Sequence, residues 1–314
     1  MNILLVILLY ATWSSVFSIG KWTLQFTSPL FLTSTRMLFA GVLLLGYLFL
    51  FKREALKVNK KQFLSLLLLA IFSIYLANAF EFWGLKYLSA AKTCFIYSLS
   101  PFFAALFSYF HFGEKMTSRK WLGMLIGVIG IFPVLYLQTD QEGLMGGMGF
   151  ISWPAFAIMG AALCSIYGWV LLRLSVKEQD VSPFMANGSS MILGGIFALI
   201  HSMMVESWQP FPIASAAPFA QGLLAMTFIS NIICYNFYGM LLKRFTATFL
   251  SFMGLLSPIF ASLNSWLLLG ESPSWVIFLS TGIVSIGLWL VYHAELKQGY
   301  IKKREKPLLA SDQG

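Results

Sequence analysis

The second half of this 314-residue chain repeats the first half. Residues 86–130 align with residues 243–287 at a constant offset of 157, and about 16 of these 45 positions are identical without a gap. Both copies are apolar, and each is long enough for helices that cross a bilayer. A duplicated apolar chain is typical of secondary transporters built from two related halves. The shared landmarks are Lys86 with Lys243, Ser100-Pro101 with Ser257-Pro258, Gly113-Glu114 with Gly270-Glu271, and Gly130 with Gly287.

The composition indicates that lipid surrounds most of this chain. Hydrophobic residues make up 58% of it and charged residues only 11%, against about 25% charged residues in soluble domains. Because lipid offers no hydrogen-bond partner to the backbone, the apolar runs must be helical. We therefore predict an all-α integral membrane protein with ten transmembrane helices. The predicted spans are residues 2–20, 30–51, 63–83, 89–111, 119–138, 151–173, 183–205, 217–240, 246–269 and 274–294.

The basic residues predict how the chain is oriented. With the N-terminus inside, 17 of the 21 Lys and Arg residues lie in inside segments and three lie outside. This bias predicts cytoplasmic N- and C-termini, and it accounts for the net charge of +9 without a nucleic-acid partner. Five spans per half is an odd number, so the two five-helix repeats are inverted relative to each other. The predicted divisions are a first repeat (1–138), an external linker (139–150), a second repeat (151–294) and a basic cytoplasmic tail (295–314).

Residues that would indicate an enzyme or a metal site are not in a suitable pattern. Cys94, Cys164 and Cys234 form no CxxC pair, the three histidines share no ligand spacing, and there is no P-loop motif. We expect no catalytic residue, no metal and no cofactor. The apolar N-terminus lacks a basic leader region, which favours a retained first helix over a cleaved signal peptide.

Two duplicated motifs predict local features of spans four and nine. A proline in mid-span removes a helix hydrogen bond, so Ser100-Pro101 and Ser257-Pro258 predict kinks that either shape a central cavity or serve packing alone. Gly113-Glu114 and Gly270-Glu271 close the same helices, and glycine suits the left-handed position after a helix end.

Two charged residues lie at membrane depth, where charges usually face a cavity or a partner. Glu81 in span three is interpreted as a proton carrier, as a counter-charge for a cation, or as an interfacial partner of Lys86 or Lys92. Arg36 in span two is interpreted as a ligand for a substrate carboxylate or as the partner of Glu81.

Aromatic and amide side chains crowd the predicted lumen, although aromatics near span ends also form interfacial belts. Tyr and Trp rings can bind cations, and their polar tips can orient a ligand. The candidate substrate-binding residues are Trp13, Phe17, Arg36, Asn78, Glu81, Tyr97, Tyr167, Trp169, Asn187, Asn231, Tyr235 and Asn236.

The ten spans, the duplicated Ser-Pro and Gly-Glu motifs, Trp13-Ser14-Ser15 and Arg36 before Ala40 resemble the EamA-type branch of the drug/metabolite transporter superfamily. The resemblance covers the chain to about Ala294. It implies the ten-helix fold, and a function in moving amino acids or other metabolites, S-adenosylmethionine included. The second repeat has Ser190 or its neighbours where the first has Arg36, so the implied arginine role applies to one half only.

The sequence therefore predicts a secondary transporter in a bacterial-type inner membrane, working by alternating access on a small polar substrate. An amino acid or a related compound is the first expectation. The alternative is a cationic metabolite such as S-adenosylmethionine or a quaternary amine, which Glu81 and the aromatic residues favour. A membrane-embedded enzyme or receptor is a more distant alternative.

Overall fold

The fold is a bundle of long apolar helices. In this computed structural model, the described residues are 2–56, 58–103, 105, 109, 116–177, 179–234, 237, 241 and 253–298. Within them, eight helices are long and apolar enough to cross a membrane. Exposed Leu, Ile, Phe and Trp side chains cover their outer faces, as expected where lipid is the solvent.

Short elements lie between the long helices of the described part. The 139–150 segment holds one short helix, and a two-stranded antiparallel hairpin pairs Gly147 with Ser152. The elements are α1 Asn2–Thr23, α2 Pro29–Phe51, α3 Lys60–Tyr87, α4 Ala90–Tyr97, α5 Ser118–Tyr136, α6 Asp140–Gly143, β1 Gly147–Met148, β2 Ile151–Ser152, α7 Trp153–Lys177, α8 Pro183–Val205, α9 Ala216–Cys234, α10 Ser257–Leu269 and α11 Trp275–Gln298, with 3-10 turns at Arg53–Leu56 and Gly254–Leu256.

Eight predicted spans coincide with long helices, namely α1, α2, α3, α5, α7, α8, α9 and α11. Predicted spans four and nine include residues outside the described part, and α4 and α10 cover only portions of them. An all-α membrane protein is therefore confirmed, and the ten-helix arrangement stays a prediction.

The duplicated motifs act locally as the sequence predicts wherever they are described. α4 ends at Tyr97, before Pro101, and a 3-10 turn precedes α10, in which Pro258 is the second residue. Gly270 ends α10 at φ 70°, a left-handed conformation that glycine adopts without steric cost. The matching Gly113-Glu114 lies outside the described residues.

The most extensive helix contacts among the described residues join the two halves of the chain. α2 packs along α8, α5 along α11, α3 along α7, and α1 along α10. The interior therefore forms between the halves, and neither half buries its apolar faces alone.

Each half contains a π-helical stretch at the same place in the repeat. The stretches are Ala70–Leu76 in α3 and Thr227–Cys234 in α9, and their first residues differ by the repeat offset of 157. The first stretch lies against α7 at Gly168, where a Cβ atom would be 2.3 Å from the Cβ of Ser73. Only glycine at position 168 permits this approach. π-helical turns widen a helix locally and are frequent at functional sites.

Loops that the charge pattern assigns to one side lie together at one end of the bundle, here called the Lys21 end. Lys21 pairs with Glu271 there, Lys92 pairs with Glu142, and the Thr27 hydroxyl donates to the Pro212 carbonyl at 2.8 Å. At the opposite end, here called the Gln62 end, Gln62 donates to the Gln179 carbonyl at 2.8 Å. The loops therefore segregate between the two ends as the charge pattern predicts.

Glycine allows α5 and α11 to approach each other closely. A Cβ atom at Gly123 would lie 2.5 Å from the Gly287 carbonyl oxygen, and a Cβ atom at Gly287 would lie 2.5 Å from the Gly123 carbonyl oxygen. Small residues at such crossings let van der Waals packing hold helices together in lipid, where no hydrophobic effect drives them together.

We expect Gly287→Val to destabilise the protein by about 1–3 kcal/mol, the usual cost of overpacking a well-packed site. Gly282→Val is the matched control, because it makes the same change in α11 where a Cβ atom would meet nothing within 4 Å. Denaturant unfolding in detergent measures both variants. Equal losses for the two variants would show that the crossing does not depend on glycine.

Candidate functional site

Arg36 of α2 is buried in the interior, with 5% of its surface exposed. Its Nη2 atom donates to the Asn231 Oδ1 atom at 3.3 Å, and its guanidinium carbon lies 5.6 Å from the centre of the Phe82 ring. Asn231 belongs to the π-helical stretch of α9, so the second half supplies a polar partner for the first half's arginine. An aromatic face adds a favourable cation–π contact at low dielectric.

Glu81 of α3 is bound by a residue of α4, which in turn packs on α1. The Tyr97 hydroxyl of α4 donates to Glu81 Oε2 at 2.9 Å, and the Tyr97 ring lies 5.7 Å from the Phe17 ring of α1. The positive charge of Arg36 also acts on the Glu81 carboxylate. Both charged residues thus share one interior neighbourhood.

The site that emerges combines opposite charges, aromatic rings and an amide from five helices. We call it the central cluster: Phe17, Arg36, Glu81, Phe82, Tyr97 and Asn231. Five of its six members are among the predicted binding residues, and the structure brings them together from positions far apart in the chain.

The arrangement suits a ligand with both a carboxylate and a cation. Guanidinium forms strong, charge-assisted hydrogen bonds to carboxylates, and a carboxylate beside aromatic rings attracts a cation. Within the described residues, no three His, Cys, Asp or Glu side chains are placed to hold a metal ion.

Phe82 is the member that sequence reasoning missed. Asn78, Glu81, Phe82 and Leu85 have the i, i+3, i+4, i+7 spacing of one helix face, which is the signal that could have found it. Asn78 itself is buried and donates to the Ile74 carbonyl at 2.8 Å. Its amide therefore satisfies the backbone at the end of the π-helical stretch.

Of the other predicted residues, Trp13 lies in the apolar cluster that also holds Phe17 and Phe82. Trp13 is half-buried in apolar packing, and Tyr167 packs edge-on against Phe72 at 5.0 Å. Trp169 is 42% exposed, and Asn187 is half-buried in α8. Tyr235 and Asn236 lie outside the described residues. The role of these six in binding stays a prediction.

The interfacial alternative for Glu81 required Lys86 or Lys92 as its partner. Lys92 instead donates to both Glu142 oxygens at 2.9 Å and to the Leu137 carbonyl at 2.9 Å. Lys86 is exposed and lies 5.7 Å from the centre of the Tyr87 ring. Glu81 therefore turns to the interior.

The helix that carries Arg36 is anchored at its start by the other half. The Glu206 carboxylate, just after α8, accepts from the backbone amides of Leu30 at 2.7 Å and Phe31 at 3.0 Å, and from the Ser28 hydroxyl at 2.7 Å. A carboxylate at a helix N-terminus satisfies free amides and the helix dipole together. This contact holds α2, and with it Arg36, against α8.

A buried row of polar contacts joins α1 to α10 alongside the cluster. Asn264 donates to the Ser14 hydroxyl at 3.2 Å and to the Ala11 carbonyl at 3.3 Å, and the Ser18 and Ser265 hydroxyls lie 3.2 Å apart. Sequence reasoning missed this row, because no single residue in it stands out from ordinary small polar residues.

These features describe a membrane transport protein, and comparison with known proteins defines its family. The model of the EamA-like transporter family matches residues 1–136 and 152–293, so the chain belongs to this family. The resemblance stated from the sequence is confirmed.

Several relatives carry a functional name. An S-adenosylmethionine/S-adenosylhomocysteine transporter of Chlamydia muridarum is 38% identical over 97% of this chain and 96% of its own length. The protein of the same name from Chlamydia trachomatis serovar L2 is 38% identical over 97% of this chain and 93% of its own. A solved crystal structure with 16% identity covers 92% of this chain and 98% of its own, with a TM-score of 0.58, which supports the fold alone.

If Arg36 and Glu81 stabilise each other, the losses of stability caused by mutating each of them should not be additive. We expect Arg36→Met and Glu81→Gln each to destabilise the protein, and the double variant to lose less than the sum, with a coupling of about 0.5–3 kcal/mol. The measurement is denaturant unfolding in detergent for all four proteins. Arg53→Met combined with Glu81→Gln is the control, because Arg53 is exposed beside Phe49. Additive losses in the Arg36 cycle would contradict the coupling.

Proposed function

We propose that this protein is a secondary transporter that moves S-adenosylmethionine and S-adenosylhomocysteine across a bacterial-type inner membrane. The observation that carries this proposal is the 38% identity over 97% of the chain to chlamydial proteins named for these compounds. It favours the cationic alternative over the first expectation of an ordinary amino acid.

The central cluster supports the same class of ligand. S-Adenosylmethionine carries a carboxylate, an ammonium group, a sulfonium group and an aromatic base. Arg36 with Asn231 suits the carboxylate, and Glu81 suits a cationic group. The rings of Phe17, Phe82 and Tyr97 offer faces to the sulfonium or the base.

Amino acids are the second candidate, because Arg36 and Glu81 would also match the carboxylate and ammonium groups of any α-amino acid. The two candidates differ in what occupies the aromatic part of the cluster. A nucleoside would use those rings, and most amino acids would leave them without a contact.

We propose inverted repeats and alternating access as the mechanism. A two-fold axis between the halves would exchange α1 with α7, α2 with α8, α3 with α9, α4 with α10 and α5 with α11. This exchange leaves the α2–α8 and α5–α11 pairs unchanged. It converts the α1–α10 pair into α7–α4 and the α3–α7 pair into α9–α1. Every one of these helix pairs is in contact. The matching π-helical stretches give further support.

We propose that the Lys21 end faces outward and that both termini are cytoplasmic. The bias of 17 inside to three outside basic residues supports this orientation. A cysteine introduced at Gly143, which is exposed, should react with an impermeant thiol reagent in intact cells, and one at Lys61 should react only after permeabilisation. The reverse pattern would overturn the orientation.

Uptake into inverted and right-side-out vesicles tests the proposed substrate. We expect saturable uptake of labelled S-adenosylmethionine that unlabelled S-adenosylhomocysteine suppresses. Methionine in tenfold excess should reduce the initial rate less than about twofold, since it lacks the nucleoside contacts. Uptake of methionine or another amino acid in place of S-adenosylmethionine would support the second candidate.

The Arg36→Ala and Arg36→Lys variants link this activity to the central cluster. Both should abolish uptake at wild-type expression, because a lysine cannot reproduce the planar two-nitrogen fork of arginine. Arg53→Ala is the matched control and should transport normally. Full activity in Arg36→Ala would remove Arg36 from the site.

A further inference from the structure

We infer that the Lys21 end holds a second, outer binding site, in which a ligand carrying a carboxylate and a cation docks on the Lys21–Glu271 ion pair. The identity of the ligand as S-adenosylmethionine rests on the function proposed above. The site itself rests on the geometry of the ion pair and on the cavities around it.

The ion pair joins α1, which contributes Phe17 to the central cluster, to the end of α10. Lys21 lies in the last turn of α1, and Glu271 follows the glycine that ends α10. Lys21 Nζ lies 3.1 Å from Glu271 Oε1 and also donates to the Leu88 carbonyl. Lys21 thus draws together α1, the connection between α3 and α4, and the end of α10.

Two cavities of about 580 Å³ and 490 Å³ flank this ion pair. Lys21, Tyr87, Gln141 and Glu271 line both cavities. Volumes of this size are typical of small-molecule sites. Lys86 also lines the first cavity, and Lys92 and Asp140 line the second. Charges of both signs, an amide and a phenol match a ligand that is itself zwitterionic and aromatic.

One oxygen of Glu271 is left without a partner. Oε2 is buried and accepts no hydrogen bond from the described residues, although Oε1 pairs with Lys21. A buried carboxylate oxygen without a donor is costly, and the ammonium group of a ligand would supply that donor when the Glu271 side chain turns toward the cavity. The ligand carboxylate could at the same time bind Lys21.

The other ion pair at this end, Lys92 with Glu142, is more buried than the Lys21–Glu271 pair. The Lys92 and Glu142 side chains are 6% and 0% exposed, and both Glu142 oxygens accept from Lys92 while Ser152 donates to Oε1 at 2.6 Å. The Lys21 and Glu271 side chains are 18% and 26% exposed. Although Lys92 lines the second cavity, its partner Glu142 is fully buried, so a ligand replaces the Lys21–Glu271 pair far more readily.

The outer site also lies in line with the central cluster. Phe17 is four residues before Lys21 on α1, so the two share one helix face. Phe17 packs on Tyr97, which donates to Glu81. The outer site therefore lies about one helical turn along α1 from the central cluster.

Equilibrium dialysis of labelled S-adenosylmethionine against purified protein tests the outer site. We expect two sites on the wild-type protein and one weaker site on Arg36→Ala. Adding Lys21→Gln or Glu271→Gln to Arg36→Ala should weaken the remaining site by about tenfold, the scale of one charged hydrogen bond. Lys21→Arg, which keeps the charge, should retain it. Lys61→Gln, the same charge change at the exposed Gln62 end, is the matched control.

A probe without the carboxylate separates binding from folding. Decarboxylated S-adenosylmethionine should bind Arg36→Ala with the same affinity whether or not Lys21→Gln is present, because it offers no partner to Lys21. Equal weakening for both probes would show that Lys21 acts only on the structure and would overturn the inference. Loss of all binding in Arg36→Ala would overturn it as well.

The two proposals can fail separately. In one outcome, the wild-type protein transports S-adenosylmethionine but shows a single binding site that Arg36→Ala removes. This result would support the proposed function and rule out the outer site. Binding that depends on Lys21 in a protein that moves no S-adenosylmethionine would keep the outer site and remove the proposed function.

Discussion

The requirement that every polar group at membrane depth find a partner inside the protein determines how this structure is built. Backbone groups meet it within helices, and most Ser and Thr side chains donate to a carbonyl of their own helix. Several other polar side chains reach across the two halves. Arg36 reaches Asn231, Asn264 reaches Ser14, and Glu206 satisfies the first amides of α2. Because lipid gives the helices no hydrophobic reason to associate, close packing and these polar contacts hold the halves together. The interface between the halves is therefore also the place where charged groups collect.

Local patterns were enough to predict much of the fold. Eight apolar runs became eight long helices, and Gly270 became the left-handed end of α10. Each of these features depends on a few neighbouring residues and on the solvent. The π-helical stretches could not be predicted in this way. The stretch at Ser73 requires Gly168 of another helix to come within van der Waals distance, and nothing near Ser73 in the sequence reports this.

The types of residue in the candidate site could be predicted from the sequence, but their spatial arrangement could not. Charge at membrane depth identified Arg36 and Glu81, because a charged side chain is costly in the membrane unless it faces a partner or a cavity. Their partners depend on tertiary placement, since 195 positions separate Arg36 from Asn231. The same limit explains why Trp169 was a candidate although it is 42% exposed. An aromatic residue in an apolar span has the same sequence pattern whether it faces lipid or the interior.

The two halves share a fold but contribute unequally to the central cluster. Both charges, Arg36 and Glu81, come from the first half, and the second half contributes the neutral amide of Asn231. A symmetric bundle with charges on both sides of its axis would bind a ligand in two opposite orientations. With the charges on one side, a zwitterionic ligand has one preferred orientation. In the alternating-access mechanism proposed here, the first half would then hold the charged end of the ligand throughout. Movement of Asn231 past it would give up the charge-assisted hydrogen bond from Arg36, which is worth about 1.5–3 kcal/mol.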